Sequence, residues 1–95
     1  MKILQIYSFL LVLGSAPLGS KARFLCTAAA SPPPVTYRLM MSRWVVATVT
    51  RHQENLPAEF VIPMTKAREG SYYCNVTAGD NTTQSNSIRL QLMSR

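Results

Sequence analysis

Gly70-Ser71-Tyr72-Tyr73-Cys74 is the stretch whose reading decides the fold. A Tyr two residues before a Cys can place its ring in a core while its hydroxyl reaches back to upstream backbone. A Gly two positions earlier lets that backbone approach, so Gly70 and Tyr72 are read as a tyrosine corner. Cys26 is the only other cysteine. Two cysteines allow one pairing, Cys26 with Cys74, and the alternation around each turns both into the same core between two sheets. A metal or redox role does not suit them, because there is no C-x-x-C and His52 is the only histidine.

The amino end sets the expected compartment. Met1-Lys2 is a short positive start, Ile3 to Leu13 is almost wholly apolar, and small residues with Pro follow through Ala22. That order is the layout of a secretory signal peptide, and the run falls well short of the ~20 residues of a spanning helix. Residues 1–22 are therefore expected to be a helical signal segment that is removed, with a retained signal anchor as the alternative. Small residues at Gly14 and Ala16, or at Ser20 and Ala22, suit cleavage. Residues 23–95 would remain, enough for one small domain that needs a covalent staple outside the cell.

The whole chain carries a net charge of +6. Past Ala22 the basic residues are Arg23, Arg38, Arg43, Arg51, Lys66, Arg68, Arg89 and Arg95, scattered rather than clustered with aromatics. Nucleic-acid binding is not supported by that pattern, whereas acidic partners such as sulfated or sialylated glycans, or plain solubility, are. No catalytic residues are expected. The serines lack a nucleophile-elbow pattern, the acidic residues are dispersed, and His52 sits in a polar loop. No cofactor or metal site is expected either, since the glycines form no phosphate-cradling loop.

Downstream of residue 22 the period is two almost throughout. Phe24, Cys26 and Ala28 form one inward set, and Ser31-Pro32-Pro33-Pro34 ends that strand. Val35, Tyr37 and Leu39 form the next, Trp44 to Thr50 is a β-branched third strand, and Phe60, Ile62 and Met64 a fourth. Pro63 makes that fourth strand an edge, or places its missing donor outward. Tyr72, Cys74 and Val76 face inward on a fifth strand, Ala78 to Ser85 reads as a loop, and Ile88, Leu90 and Leu92 close the chain. The fold class is all-β, an antiparallel two-sheet sandwich.

The stretch from Phe24 to Met93 resembles the C2-type domains of the immunoglobulin superfamily, in particular those of Fc-receptor-like and platelet-endothelial adhesion molecules. The likeness rests on Phe24-Leu25-Cys26, Ser31-Pro32-Pro33-Pro34-Val35-Thr36-Tyr37, Ala58-Glu59-Phe60-Val61-Ile62, Glu69 to Cys74, and Ser87 to Leu92. It implies strands B, C, C′, E, F and G, and a function of protein–protein binding in immune or adhesion recognition. Three departures stand out. Arg68 replaces the usual Asp six residues before the second Cys, so the ion pair it makes at the sandwich base is in doubt. Leu39 takes the place of the core Trp, which leaves Tyr37 and Leu39 to pack the disulfide, with Trp44 on the next strand. Only the signal-like segment precedes strand B, so strand A is expected to be missing. The chain would then be a shortened product of a longer gene, or strand B would offer an open edge for self-association or for a donated strand.

Asn75-Val76-Thr77 and Asn81-Thr82-Thr83 are sequons, open to N-glycosylation in a secreted chain. Asn75 faces outward because Cys74 faces inward, and Asn81 falls in the F–G loop. Arg38, Tyr73 and Arg89 share the outer face with Asn75 and form the candidate partner-contact patch. The expectation is a secreted, extracellular recognition module bound to a protein receptor or ligand, with no membrane span after signal removal. The alternatives are a basic domain that binds glycans or heparin, and a truncated isoform with no independent role.

Overall fold

The computed structural model describes residues 7–13, 21–29, 33–53, 56–63 and 65–90. The described strands are β1 (Tyr7–Leu13), β2 (Lys21–Ala29), β3 (Val35–Met41), β4 (Trp44–Arg51), β5 (Ala58–Pro63), β6 (Gly70–Ala78), β7 (Asn81–Gln84) and β8 (Ile88–Leu90), with a 3₁₀ turn at Lys66–Arg68. They form two antiparallel sheets. The smaller runs β1-β2-β5, and the larger runs β4-β3-β6-β7, with β8 pairing β6 beyond β7. In strand letters these are A-B-E and C′-C-F-G.

Alternation builds the core. Ala22, Phe24 and Cys26 of β2 and Ala58, Phe60 and Ile62 of β5 are buried from the smaller sheet. Val35, Tyr37 and Leu39 of β3, Tyr72, Cys74, Val76 and Ala78 of β6, and Leu90 of β8 meet them from the larger one. Between these faces the rings of Phe24 and Tyr72 lie 4.7 Å apart, centroid to centroid. No buried side chain of the described residues is polar or charged beyond the tyrosine hydroxyls, so burial of apolar surface dominates here.

Three expectations need correction. The first is the missing strand A and the helical leader. Tyr7–Leu13 is a strand, paired with β2 from Tyr7 opposite Ala29 to Leu13 opposite Arg23. The physical reason is that a short apolar run suits a leader helix and a buried strand equally. The open edge of β2 supplies unpaired N–H and C=O groups that a strand satisfies and a detached helix does not. Residues 1–6 and 14–20 lie outside the described residues. Ala22, placed in the leader by the sequence, is a core residue at 1% exposure, opposite Ile62. With β1 in place, the edge of β2 that the sequence left open is covered.

The second correction concerns Ala78 to Ser85. Instead of one loop it forms a tight hairpin in which Ala78 pairs with Asn81 across Gly79 and Asp80. Gly79 sits at φ 61°, a left-handed position that glycine adopts without a Cβ penalty. Asn81 therefore opens β7 rather than lying in a loop. The sequence hides this strand because Asn-Thr-Thr-Gln carries no apolar alternation. The third correction concerns Gly70. A Cβ there would meet Met41 only at an ordinary 3.7 Å, so space is not what selects glycine. Its φ of 149° is.

Candidate recognition face

The staple and the corner come first because they fix the strands that carry the outer face. Cys26 and Cys74 are bonded between the two sheets, with Cα atoms 6.4 Å apart and neither residue exposed. Leu39 lies opposite Cys74 on the neighbouring strand and is fully buried. Tyr37 is buried beside it and donates its hydroxyl to Leu56 O at 3.0 Å. Leu39 and Tyr37 fill the place of the absent core Trp, and Trp44 is 70% exposed on β4. Tyr72 donates its hydroxyl to Arg68 O, four residues upstream, where the 3₁₀ turn presents that carbonyl. The turn is held by Arg68 N–H donating to Thr65 O at 2.9 Å. Tyr72 thus closes a hydrogen bond back to the upstream turn, with Arg68 accepting through its backbone.

Burial raises the pKa of both tyrosine hydroxyls above the ordinary phenol value. Burial is the largest cause for each, partly offset at Tyr37 by the Ala28 backbone and the Arg51 charge, and at Tyr72 by the Arg68 charge. A folded-state value above the unfolded one gives stability that is complete below pH 10 and is lost as pH climbs through the raised values. The protein is therefore expected to unfold in the alkaline range above pH 10, read as loss of its near-ultraviolet circular dichroism as pH rises. A circular dichroism signal unchanged through that range would show that the two rings are not buried.

Ser85 was invisible to the sequence reading and holds the sheet where β7 gives way to β8. Its N–H donates to Cys74 O at 2.8 Å, and its Oγ accepts from Cys74 N–H at 2.7 Å. The hydroxyl itself donates to Asn86 O at 2.8 Å. The register steps by one residue across this break, from Asn75 opposite Gln84 to Tyr72 opposite Ile88. The Ser85 side chain thereby stands in for a missing backbone acceptor, next to the disulfide. Ser85→Ala leaves the Cys74 N–H unpaired and is expected to cost about 1–3 kcal/mol, read as a lower midpoint in urea. A loss below a few tenths would mean that another acceptor serves Cys74.

The outer face of the larger sheet carries the candidate patch. Register sets one row of Thr48, Arg38, Asn75 and Gln84 across β4, β3, β6 and β7, and a second of Thr50, Thr36, Thr77 and Thr82. Hydroxyl contacts at 3.1 Å (Thr36 to Thr50) and 3.2 Å (Thr77 to Thr82) tie the second row together. Tyr73 is one step further along β6 and donates to Ser42 O at 3.3 Å. Arg89 on β8 lies opposite Ser71, the next outward residue of β6. Arg38, Tyr73 and Arg89 thus share one face by register, as the sequence placed them, and the outward positions of these strands carry no acidic residue.

Asn75 sits between Arg38 and Gln84, half-buried, and its Oδ1 is shielded from solvent without a hydrogen-bond partner. A buried acceptor left unpaired is costly. Asn81, by contrast, is exposed at the start of β7.

The outer face of the smaller sheet differs. There the Arg23 guanidinium meets Glu59 Oε2 at 2.6 Å through Nη2 and at 3.0 Å through Nε. Both side chains are well exposed, so the pair contributes at most ~1 kcal/mol. His52, Ser71 and Asp80 do not meet: Ser71 lies at the opposite end of the larger sheet from the other two. Among the described residues no group of three or more His, Cys, Asp or Glu could hold a metal ion, and no helix is long and apolar enough to cross a membrane.

Compared with known families, residues 4–95 match the model described as "C17orf99 Ig domain". The match begins inside the apolar segment that contains β1. No curated protein matches the chain. The finer likeness to Fc-receptor-like and platelet-endothelial adhesion domains therefore rests on the quoted residues alone.

Proposed function

The chain belongs to the C17orf99 Ig domain family, and from that premise we propose that it is an extracellular recognition module that binds a protein partner in immune or adhesion signalling. An Ig-like fold is typically a binding fold rather than a catalytic one, and a core disulfide suits an oxidising compartment. The observation that carries the reading is the outer face of the larger sheet. Arg38, Tyr73 and Arg89 share that face, with Arg38 directly opposite Asn75 and no acidic residue at the outward positions of these strands.

Two roles compete for the apolar amino-terminal segment, a leader that is removed and the outer strand of the smaller sheet. The seven-residue β1, its pairing with β2 and the start of the family match at residue 4 favour the strand.

The test is binding of labelled full-length protein to a panel of leukocyte and endothelial cells. Arg38→Glu with Arg89→Glu should abolish staining, and Glu59→Lys on the other sheet should leave it intact. Staining that ignores the double variant would remove this face from consideration. The positive face also supports a second reading, an anionic glycan such as heparin. Loss of staining after heparinase, with salt-sensitive retention on heparin resin, would favour that reading over a protein partner.

Glycosylation bears on the same face. Asn81 is expected to be the occupied sequon, seen as its conversion to Asp by an amide-cleaving glycosidase. Conversion at Asn75 would put a glycan between Arg38 and Gln84 and rule out partner contact there.

A further inference from the structure

Among the described residues one buried apolar side chain lies outside the core. Met40 is 8% exposed, yet it does not belong to the cluster packed between the sheets. A bulge on β4 gives it an apolar neighbour. Val46 and Ala47 both pack against the core, which breaks the alternation of β4 and returns Val45 to the outer face, opposite Met40. Tyr73 lies opposite Met40 on the other side, and its hydroxyl is held by Ser42 O. Val45, Met40 and Tyr73 therefore make one apolar row across β4, β3 and β6, with Val45 54% exposed. Two arginines bracket this row. Arg38 is two residues before Met40 on β3, and Arg89 is opposite Ser71, two residues before Tyr73 on β6. Two residues are about 7 Å of strand, so both arginines start close to the row. Neither guanidinium meets a carboxylate among the described residues.

We propose that the row Val45, Met40 and Tyr73 is the centre of the contact, and that its occupant is an acidic protein segment with an apolar side chain set between carboxylates. This occupant presupposes that the outer face is the binding face, and it adds the chemistry read there. Charge and apolar surface together select it. The outward positions of these strands hold no carboxylate, so a second copy pressed against the face would bring only like charge to Arg38 and Arg89. An anionic glycan would answer the two arginines and leave the apolar row uncovered. Covering that row takes an apolar side chain, and holding it between the arginines takes carboxylates on either side.

The probe is a random linear-peptide display library selected on the full, oxidised chain, with enriched peptides then titrated singly. Enriched sequences should carry an aliphatic or aromatic residue flanked by Asp or Glu. Val45→Lys separates the two chemistries, because it adds a cation to the face while removing an apolar contact. It should weaken these peptides roughly tenfold or more, although the face becomes more positive. Val45→Thr keeps the branched shape and the strand preference and should weaken them several-fold. Glu59→Lys, on the other sheet, should leave them unchanged. If Val45→Lys loses its near-ultraviolet circular dichroism and so fails to fold, Val45→Thr decides. Peptides acidic throughout, or peptides that tighten with Val45→Lys, would overturn the proposal and assign the face to a polyanion. Indifference to both Val45 variants, or selection of no peptide, would overturn it too. Cell staining lost with Arg38→Glu and Arg89→Glu but kept with Val45→Lys would overturn this occupant and keep the face. Staining indifferent to all of them would remove the face itself.

Discussion

Replacing Cys26 and Cys74 together by Ala is expected to remove about 4 kcal/mol of stability through the freed chain entropy of the 48-residue separation they close. The two empty positions add to that, because neither residue is exposed and both belong to the core. A domain of this size has in total roughly 5–15 kcal/mol to lose. The double variant should therefore be largely unfolded near body temperature, with near-ultraviolet circular dichroism lost and urea unfolding no longer cooperative. The replacement must be made at both positions, since a single one leaves a free thiol that can cross-link chains. A double variant that melts within a few degrees of the parent would mean that the sandwich does not depend on its staple.

Deleting residues 1–20 is the second large effect. It removes β1 and returns the β2 edge to water along the seven pairs from Tyr7–Ala29 to Leu13–Arg23. At about 0.5–1.5 kcal/mol per hydrogen bond the loss is on the order of 3 kcal/mol or more. The melting temperature should drop by about 15 °C. The uncovered edge should also make the shortened chain associate at micromolar concentration. Equal melting temperatures for the full and shortened chains would show that Tyr7–Leu13 is no part of the folded domain. They would instead fit removal of that segment as a leader.

Much of the sandwich was legible in the residues because period two is a local signal. The inward sets on β2, β3, β5 and β6 were each visible as alternation, and Tyr72 with Cys74 placed two of them in register with the core. What escaped had no local signal. The pairing of β1 with β2 recruits a segment, Tyr7–Leu13, whose apolar run is consistent with either helix or strand. Only the unsatisfied edge of β2, a property of the assembled sheet, distinguishes them. β7 escaped because its four residues are polar on both faces. Ser85 escaped because a serine that replaces a backbone acceptor looks like any loop serine until the register step beside it is known. On the candidate face, Arg38, Tyr73 and Arg89 could be grouped from strand parity alone. The shielded Oδ1 of Asn75 could not, because it depends on what flanks it across two strands.

The account rests on one architecture, a disulfide-stapled sandwich that begins at β1 and presents the outer face of the larger sheet. Residue-resolved hydrogen exchange on the full, oxidised chain tests it most directly. Amides of Tyr7–Leu13 should be protected in alternation along the β2 side. Those of Phe24 to Ala28 and Tyr72 to Ala78 should exchange slowest of all, at rates set by global unfolding. Exchange of Tyr7–Leu13 at the rate of an unfolded chain, while β2 and β6 stay protected, would contradict it.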